Sequence, residues 1–334
     1  MILLTFAALV TLLWVIAALL VWPVLRIVRG PKQLRGVARW SFRSWLAGLP
    51  VSIFLLLPIL LSWLISGAGT RPGDEVRVEA VEACGSPFEE ALFSAADGVE
   101  VGGWFLPGQE GIIPVAVTHG LFRSRMEVVD LACALNAEGH PVLAFDLRNH
   151  GQSGRRSTTI GYQERLDVEA AIEWIRQKTG YARPAVLGIS MGAAASLLAA
   201  AERPETVSAI IADSPFISLR TTVSRHVGLF LGMPSFPFAN VFTWNLSRIG
   251  GFDPDRLDLT QELRETTLPI LLIYGEKDSR MPPEQASQLH TALPGTDKQL
   301  LLFPNAGHGH AYDEDPGRYL AAVNSLLARV STCP

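Results

Sequence analysis

Gly188-Ile189-Ser190-Met191-Gly192 constrains this chain more than any other segment. An apolar run, Pro184 to Ile189, leads into it, and a small-residue run, Ala193 to Ala201, follows. The pattern predicts a strand, a tight turn and a helix. A serine at such a turn is pushed out of the backbone with its hydroxyl exposed, and the flanking glycines let two chain segments pass closely. The pentapeptide alone also fits a Gly-rich turn with an inert serine, because both residues are common. The rest of the chain decides between the two.

Downstream of residue 75, short apolar runs alternate with amphipathic ones. Val76 to Ala83 and Glu90 to Ser94 read as strands, and Asp97-Gly98 marks a hairpin turn before a strand over Val99 to Leu106. Further strands are expected over 114–118, 142–145, 185–189, 209–212, 270–274 and 299–303. Helices are expected over 126–137, 162–177, 191–201, 283–292 and 316–330. Short buried strands alternating with helices predict a mostly parallel sheet covered on both faces. Ser214 to Thr267 interrupts the rhythm and is too long for a simple crossover. Its Phe216, Phe230, Phe236, Phe238, Phe242 and Trp244 predict a small helical cap, with aromatics that either line a pocket or form the cap's own core.

The first 70 residues are different in kind. Residues 2–25 and 45–68 contain no charged side chain, and each run is long enough to cross a bilayer, although Pro50 and Pro58 interrupt the second. Between them, over 26–44, lie Arg26, Arg29, Lys32, Arg35, Arg39 and Arg43. Residues 1–70 are therefore expected to be a two-span anchor, with residues 75–334 as a separate domain carrying a cap at about 214–267. A short basic loop is retained in the cytoplasm, so the domain is expected on the extracytoplasmic side. The first run lacks the basic start and small-residue cleavage pattern of a signal peptide. A pair of buried core helices is the remaining alternative. The whole chain carries 28 basic and 32 acidic residues, a net charge of −4. With six of the basic residues and none of the acidic ones before residue 71, the remainder is acidic and gives no reason to expect nucleic-acid binding. Cys84, Cys133 and Cys333 are too scattered for a zinc site or a disulfide framework. A Cys84–Cys333 pair would need an oxidising compartment, and idle thiols are the simpler expectation.

A serine hydroxyl becomes a nucleophile only beside a general base, and that base needs an acid to fix its tautomer. His308, in Pro304-Asn305-Ala306-Gly307-His308-Gly309, follows the last expected strand and is the candidate base. Asp278, in Gly275-Glu276-Lys277-Asp278, follows the 270–274 strand and is the candidate acid. The order Ser190, Asp278, His308 and the three strand ends agree independently, because open α/β sheets bind ligands at the carboxyl ends of their strands. Met191, at the start of a helix, and Leu121, in His119-Gly120-Leu121-Phe122, supply the expected oxyanion-hole amides. His310 is the rival base, and Glu276 and Asp213 are rival acids. His119 is expected to hold its loop. Arg148 and His150 are read as parts of a hydrogen-bonded turn, and Arg123 and Arg125 as charges at a helix start that also suit an anionic substrate group.

From Phe88 to the C-terminus the chain resembles the α/β-hydrolase superfamily. The resemblance rests on His119-Gly120, Asp146-Leu147-Arg148-Asn149-His150-Gly151-Gln152-Ser153-Gly154, the Ser190 turn, Gly275-x-x-Asp278 and Ala306-Gly307-His308. The second motif usually reads D-x-R-G-H-G-x-S, so Asn149 stands where that pattern has glycine. Within the superfamily the chain looks most like the membrane-anchored Bem46-like and serine-aminopeptidase-like (S33) groups. The resemblance implies an α/β-hydrolase fold after two transmembrane helices, with Ser190 as nucleophile, Asp278 as acid and His308 as base. It implies no cofactor and no metal. The expected activity is hydrolysis of a carboxylic ester on a small-molecule or acyl-chain substrate beside a bilayer. Amide and thioester cleavage use the same residues, and a catalytically silent binding module on an anchor is the alternative from another class.

Overall fold

Runs of Val, Ile, Leu and Ala only four to seven residues long form eight strands in the computed structural model, which describes Thr11 and residues 43–331. Apart from Thr11, the expected first span at 2–25 lies outside the described residues, as do Cys333 and the basic loop before Arg43. The strands are β1 (Glu89–Ser94), β2 (Glu100–Leu106), β3 (Val115–Thr118), β4 (Val142–Phe145), β5 (Ala185–Ile189), β6 (Ala209–Asp213), β7 (Ile270–Gly275) and β8 (Lys298–Phe303). They make one sheet in the order β1-β2-β4-β3-β5-β6-β7-β8. β2 runs antiparallel to β1 and β4, and every other pairing is parallel. After β3 the chain steps to β4 on one side and later to β5 on the other. That reversal opens a crevice at the carboxyl ends of β3 and β5, where sheets of this kind bind ligands. β3, β4, β5 and β6 are buried along their whole lengths, which is why they read as continuous apolar runs rather than alternating ones.

The chain divides into two compact units: residues up to Leu64 with Val223–Leu246, and Ile65–Thr222 with Ser247 onward. The sheet and its core belong to the second. In the first, helix α1 (Arg43–Gly67, ending across the division) covers the expected second span. It is long and apolar enough to cross a membrane, with a mean hydropathy of 2.3 and 22% of its most apolar window buried. It absorbs Pro58 through a π-helical turn at Ser52–Leu56; proline donates no N–H, and widening the preceding turn relieves its ring's clash with the backbone. Asn245 Nδ2 donates to Ser62 Oγ at 2.7 Å within this unit.

In the second unit a short helix, α2 (Val78–Glu82), precedes the sheet, where Val76 to Ala83 reads as a strand in sequence. The strand expectation fails because Val78-Glu-Ala-Val-Glu lacks alternation and only Val81 is buried, giving helical rather than sheet-like periodicity. The remaining helices of eight residues or more are α3 (Val129–Ala137), α4 (Glu164–Thr179), α5 (Met191–Glu202), α6 (Leu219–His226), α7 (Phe238–Gly250), α8 (Pro283–Ala292) and α9 (Pro316–Ser331). α6 and α7 lie in the long segment between β6 and β7. Its aromatics divide: Phe216, Phe238 and Phe242 are buried, whereas Phe230, Phe236 and Trp244 are exposed.

Cys84 and Cys133 form a disulfide with Cα atoms 5.3 Å apart, against the expectation of idle thiols. The pairing was hidden because 49 residues separate the two, and only the packing of α2 beside α3 brings them together. Closing a loop of that length restricts the unfolded chain by about 4 kcal/mol in the chain-entropy account.

The Asp146–Gly154 turn is held by buried ion pairs. Arg125 donates from its backbone N, Nε and Nη2 to Asp146 at 2.6, 2.9 and 2.7 Å, and its guanidinium lies over the Trp104 ring. Arg148 is shared between Asp167 and Asp97. Neither arginine is available to an anionic substrate. Asp146→Ala strands a buried guanidinium and is expected to cost about 3–5 kcal/mol, measurable as a lowered unfolding midpoint of the purified protein in detergent.

Candidate active site

Ser190 is the single residue between β5 and α5. Its φ of 53° and ψ of −110° lie where L-residues are strained. Hydrogen bonds from Ser190 N to Asp213 O (2.8 Å) and from Ala194 N to Ser190 O (3.0 Å) hold it there. The flanking glycines make the turn possible: a Cβ on Gly188 would strike the Gly192 backbone, and one on Gly192 would lie 2.6 Å from His119 O. The serine side chain is therefore raised from the turn into the crevice rather than packed beneath it.

His308 reaches Ser190 from the loop after β8. Its Nε2 lies 2.8 Å from Ser190 Oγ, and its Nδ1 lies 2.6 Å from Asp278 Oδ2. Asp278 is buried, and its other oxygen accepts from Arg280 N and Met281 N at 2.8 and 2.9 Å. The carboxylate is thus fully occupied and aimed at one imidazole nitrogen, which leaves the other to accept the serine proton. The rivals stand apart. His310 is exposed and binds Asp313 at 2.6 Å. Glu276 is exposed. Asp213 is buried and accepts from Ser214 Oγ at 2.9 Å. Burial pushes its carboxyl up to about 7, against the opposing pull of Ser214 and then His308.

The loop after β3 is ordered by side chains on both sides. His119 Nδ1 donates to Gly120 O at 2.8 Å while its Nε2 accepts from Leu147 N at 3.1 Å. Burial first, and then the neighbouring His150, push its pKa down to about 4, so it holds the loop as a neutral ring. Gly120 N donates to Glu127 Oε2 at 2.6 Å, and Phe122 N donates to His150 Nε2 at 3.2 Å. The intervening Leu121 N–H takes no hydrogen bond among the described residues, and neither does Met191 N at the start of α5. The loop lies against Ser190, since a Cβ on Gly120 would be 3.3 Å from Ser190 Cβ. Two unengaged amides beside a serine–imidazole pair are what an oxyanion hole requires.

A family model described as α/β hydrolase fold matches residues 113–267, and one for the dienelactone hydrolase family matches 250–332. The chain has the α/β-hydrolase fold. The hydrolase is 28% identical over 246 residues to the uncharacterized protein Rv2307c of Mycobacterium tuberculosis, covering 72% of this chain and 80% of that one. It is 24% identical to mouse sn-1-specific diacylglycerol lipase ABHD11, covering 67% and 83% of the two chains. Among solved structures, the esterase Pf2001 of Pyrococcus furiosus shares the fold with a TM-score of 0.65 at 24% identity, over 78% of this chain and 97% of that one.

Two features of this hydrolase's site escape sequence reading. Glu127 is nearly buried, and burial raises its carboxyl to about 7. Seven residues separate it from Gly120, and no motif marks that spacing. Asn149, the departure from the family pattern, adopts φ 66°, so it takes over the backbone conformation that glycine would supply. Its side chain donates to Ala68 O at 3.1 Å and Thr158 Oγ1 at 3.0 Å. Asp278→Asn removes the acceptor for His308 Nδ1–H and is expected to lower kcat by about 10³–10⁴-fold with KM little changed, read in steady-state ester hydrolysis.

Proposed function

We propose that this α/β hydrolase is a membrane-anchored serine esterase acting through an acyl-enzyme, nearest in kind to the Bem46-like and serine-aminopeptidase-like groups. The observation that carries the reading is the 2.8 Å approach of His308 Nε2 to Ser190 Oγ, with Asp278 fixed behind the imidazole. His308 takes the Ser190 proton as Oγ attacks the carbonyl carbon, and the C=O π pair moves to oxygen. The Leu121 and Met191 amides stabilise that oxyanion. Collapse expels the alkoxide, which takes the proton from His308 and leaves as an alcohol. Water then gives a proton to His308, and its oxygen attacks the acyl carbon. Ser190 Oγ departs and recovers the proton, releasing a carboxylic acid. Throughout, Asp278 stabilises the imidazolium without taking its proton.

Ester rather than amide cleavage is favoured by the apolar side chains that the first unit exposes. The unit that contains α1 exposes Leu229, Phe230, Phe236 and Trp244 as well as the helix's own Leu60 and Trp63. Such a surface suits a bilayer and substrates carrying acyl chains. The esterase and lipase names among its relatives agree with this reading. The catalytic domain is assigned to the extracytoplasmic side: Arg26 to Arg43 would remain in the cytoplasm, and the Cys84–Cys133 disulfide belongs to an oxidising compartment.

Ser190→Ala is expected to abolish both turnover and fluorophosphonate labelling while the protein remains folded; labelling that survives the substitution would sink the assignment. Across p-nitrophenyl esters of graded chain length, with matched amide and thioester controls, esters are expected to give the highest kcat/KM. In intact cells, Cys84 and Cys133 should resist maleimide until a reductant is added. Labelling without reductant would overturn the extracytoplasmic assignment.

A further inference from the structure

The segment that follows α1 is not a free spacer. Ser66 Oγ donates to Thr158 O at 3.0 Å, and Thr70 Oγ1 accepts from Gly151 N at 2.6 Å and donates to Arg123 O at 3.2 Å. Arg71 N donates to Phe122 O at 2.8 Å. A chain of charged contacts then runs inward. Arg71 Nε meets Asp74 Oδ2 at 2.6 Å, and Arg123 Nη1 meets the same oxygen at 2.8 Å. Arg123 Nε meets Glu127 Oε1 at 2.9 Å, and Glu127 Oε2 receives the Gly120 amide at 2.6 Å. The chain therefore ends on the residue before Leu121.

We propose that Glu127 is a positioning residue for the Leu121 oxyanion-hole amide, and that Asp74 of the linker sets Glu127 through Arg123. This rests on the esterase reading given above. Glu127 touches no reacting atom. It holds the 119–120 peptide through the Gly120 amide, one peptide before the Leu121 N–H, and the linker supplies the outer end of the restraint. An isolated surface ion pair contributes little, but this one is mostly shielded, with 21% of the Arg123 side chain and 15% of the Glu127 side chain exposed. A donor displaced by a fraction of an ångström from the developing oxyanion loses much of its effect on the barrier.

The geometry has a pH signature. Burial is the largest influence on Glu127 and raises its carboxyl to about 7; the Gly120 amide and then His308 oppose the rise, Asp74 adds to it, and His310 opposes it. Asp213 at the end of β6 also senses Glu127, and Arg123 pairs with it directly. Glu127 is an anion above about pH 7. As pH falls through that value, the Gly120 amide and Arg123 lose their charged acceptor. Oxyanion stabilisation then declines, and the acid limb of the rate profile carries that loss.

The test uses the full-length protein in detergent with p-nitrophenyl butyrate. Glu127→Ala is expected to lower kcat at pH 8.5 by about 10- to 100-fold with KM unchanged within about twofold. Glu127→Gln, which keeps an oxygen for Gly120 N, should restore kcat to within about threefold at pH 8.5 and lose less activity than the parent between pH 8.5 and 6. Asp74→Asn, which leaves Arg123 on Glu127, should lower kcat by about two- to threefold. An active parent whose Glu127→Ala form keeps kcat within twofold overturns the positioning role, as does a Glu127→Gln acid limb identical to the parent's. An unaltered kcat in Asp74→Asn overturns the linker's part. If Glu127→Ala fails to fold, the acid limb of Glu127→Gln and the kcat of Asp74→Asn decide. A parent that neither hydrolyses the ester nor labels with fluorophosphonate ends the esterase reading itself, and the relay with it.

Discussion

The near-contact of two backbones at Gly188 and Gly192 is the constraint on which the site depends. Because neither residue has a side chain, β5 can turn into α5 through one residue, and that residue is forced to φ 53°. Strain of this kind costs about 1–3 kcal/mol and persists only where the surroundings over-determine it. Here the Ser190 amide is pinned to Asp213 O in the next strand, and its carbonyl starts the helix. The same turn leaves Met191 N–H pointing free at the head of α5. One backbone event thus presents the candidate nucleophile and half of the expected oxyanion hole.

Around that turn the acidic groups divide by how completely they are hydrogen-bonded. Asp278 accepts from one imidazole and two backbone amides, so its charge is solvated by the protein and directed along one line. Asp213, also buried and near His308, accepts from the Ser214 hydroxyl but from no backbone amide among the described residues, and is raised to about 7. A carboxyl poised that way is a poor partner for an imidazolium, because burial disfavours the charge it would need. Hydrogen-bond supply, not distance along the chain, distinguishes the two strand-end aspartates.

Much of this was legible in the sequence where the information is local. The turn at Ser190, the strands over 142–145 and 185–189, and the helix over 283–292 follow from periodicity and small-residue spacing, and the structure has them at the same bounds. Ser190, Asp278 and His308 could be picked out because each sits at a strand end. Contacts between segments without a shared pattern were not legible. Cys84 meets Cys133 only because α2 packs beside α3, and Glu127 meets Gly120 only because a short helical turn folds back under the loop. Val76 to Ala83 failed for the opposite reason: its residue types suit a strand, but its burial has a helical period.

At the linker, composition and backbone contacts divide the chain at different places. Thr70 to Asp74 reads as a spacer because it is short, polar and contains Pro72 and Gly73. Yet the unit that holds the sheet begins at Ile65, inside the last turns of α1. Composition responds to the solvent around a segment, whereas a domain is defined by what its backbone bonds to. Asn149 joins the two descriptions. Glycine would satisfy the turn's left-handed backbone at least as well, but it could not reach the carbonyl of Ala68, as the Asn149 amide does. The one departure from the family motif is therefore also a tie between the turn and the segment leaving α1, made beside its bond to Thr158.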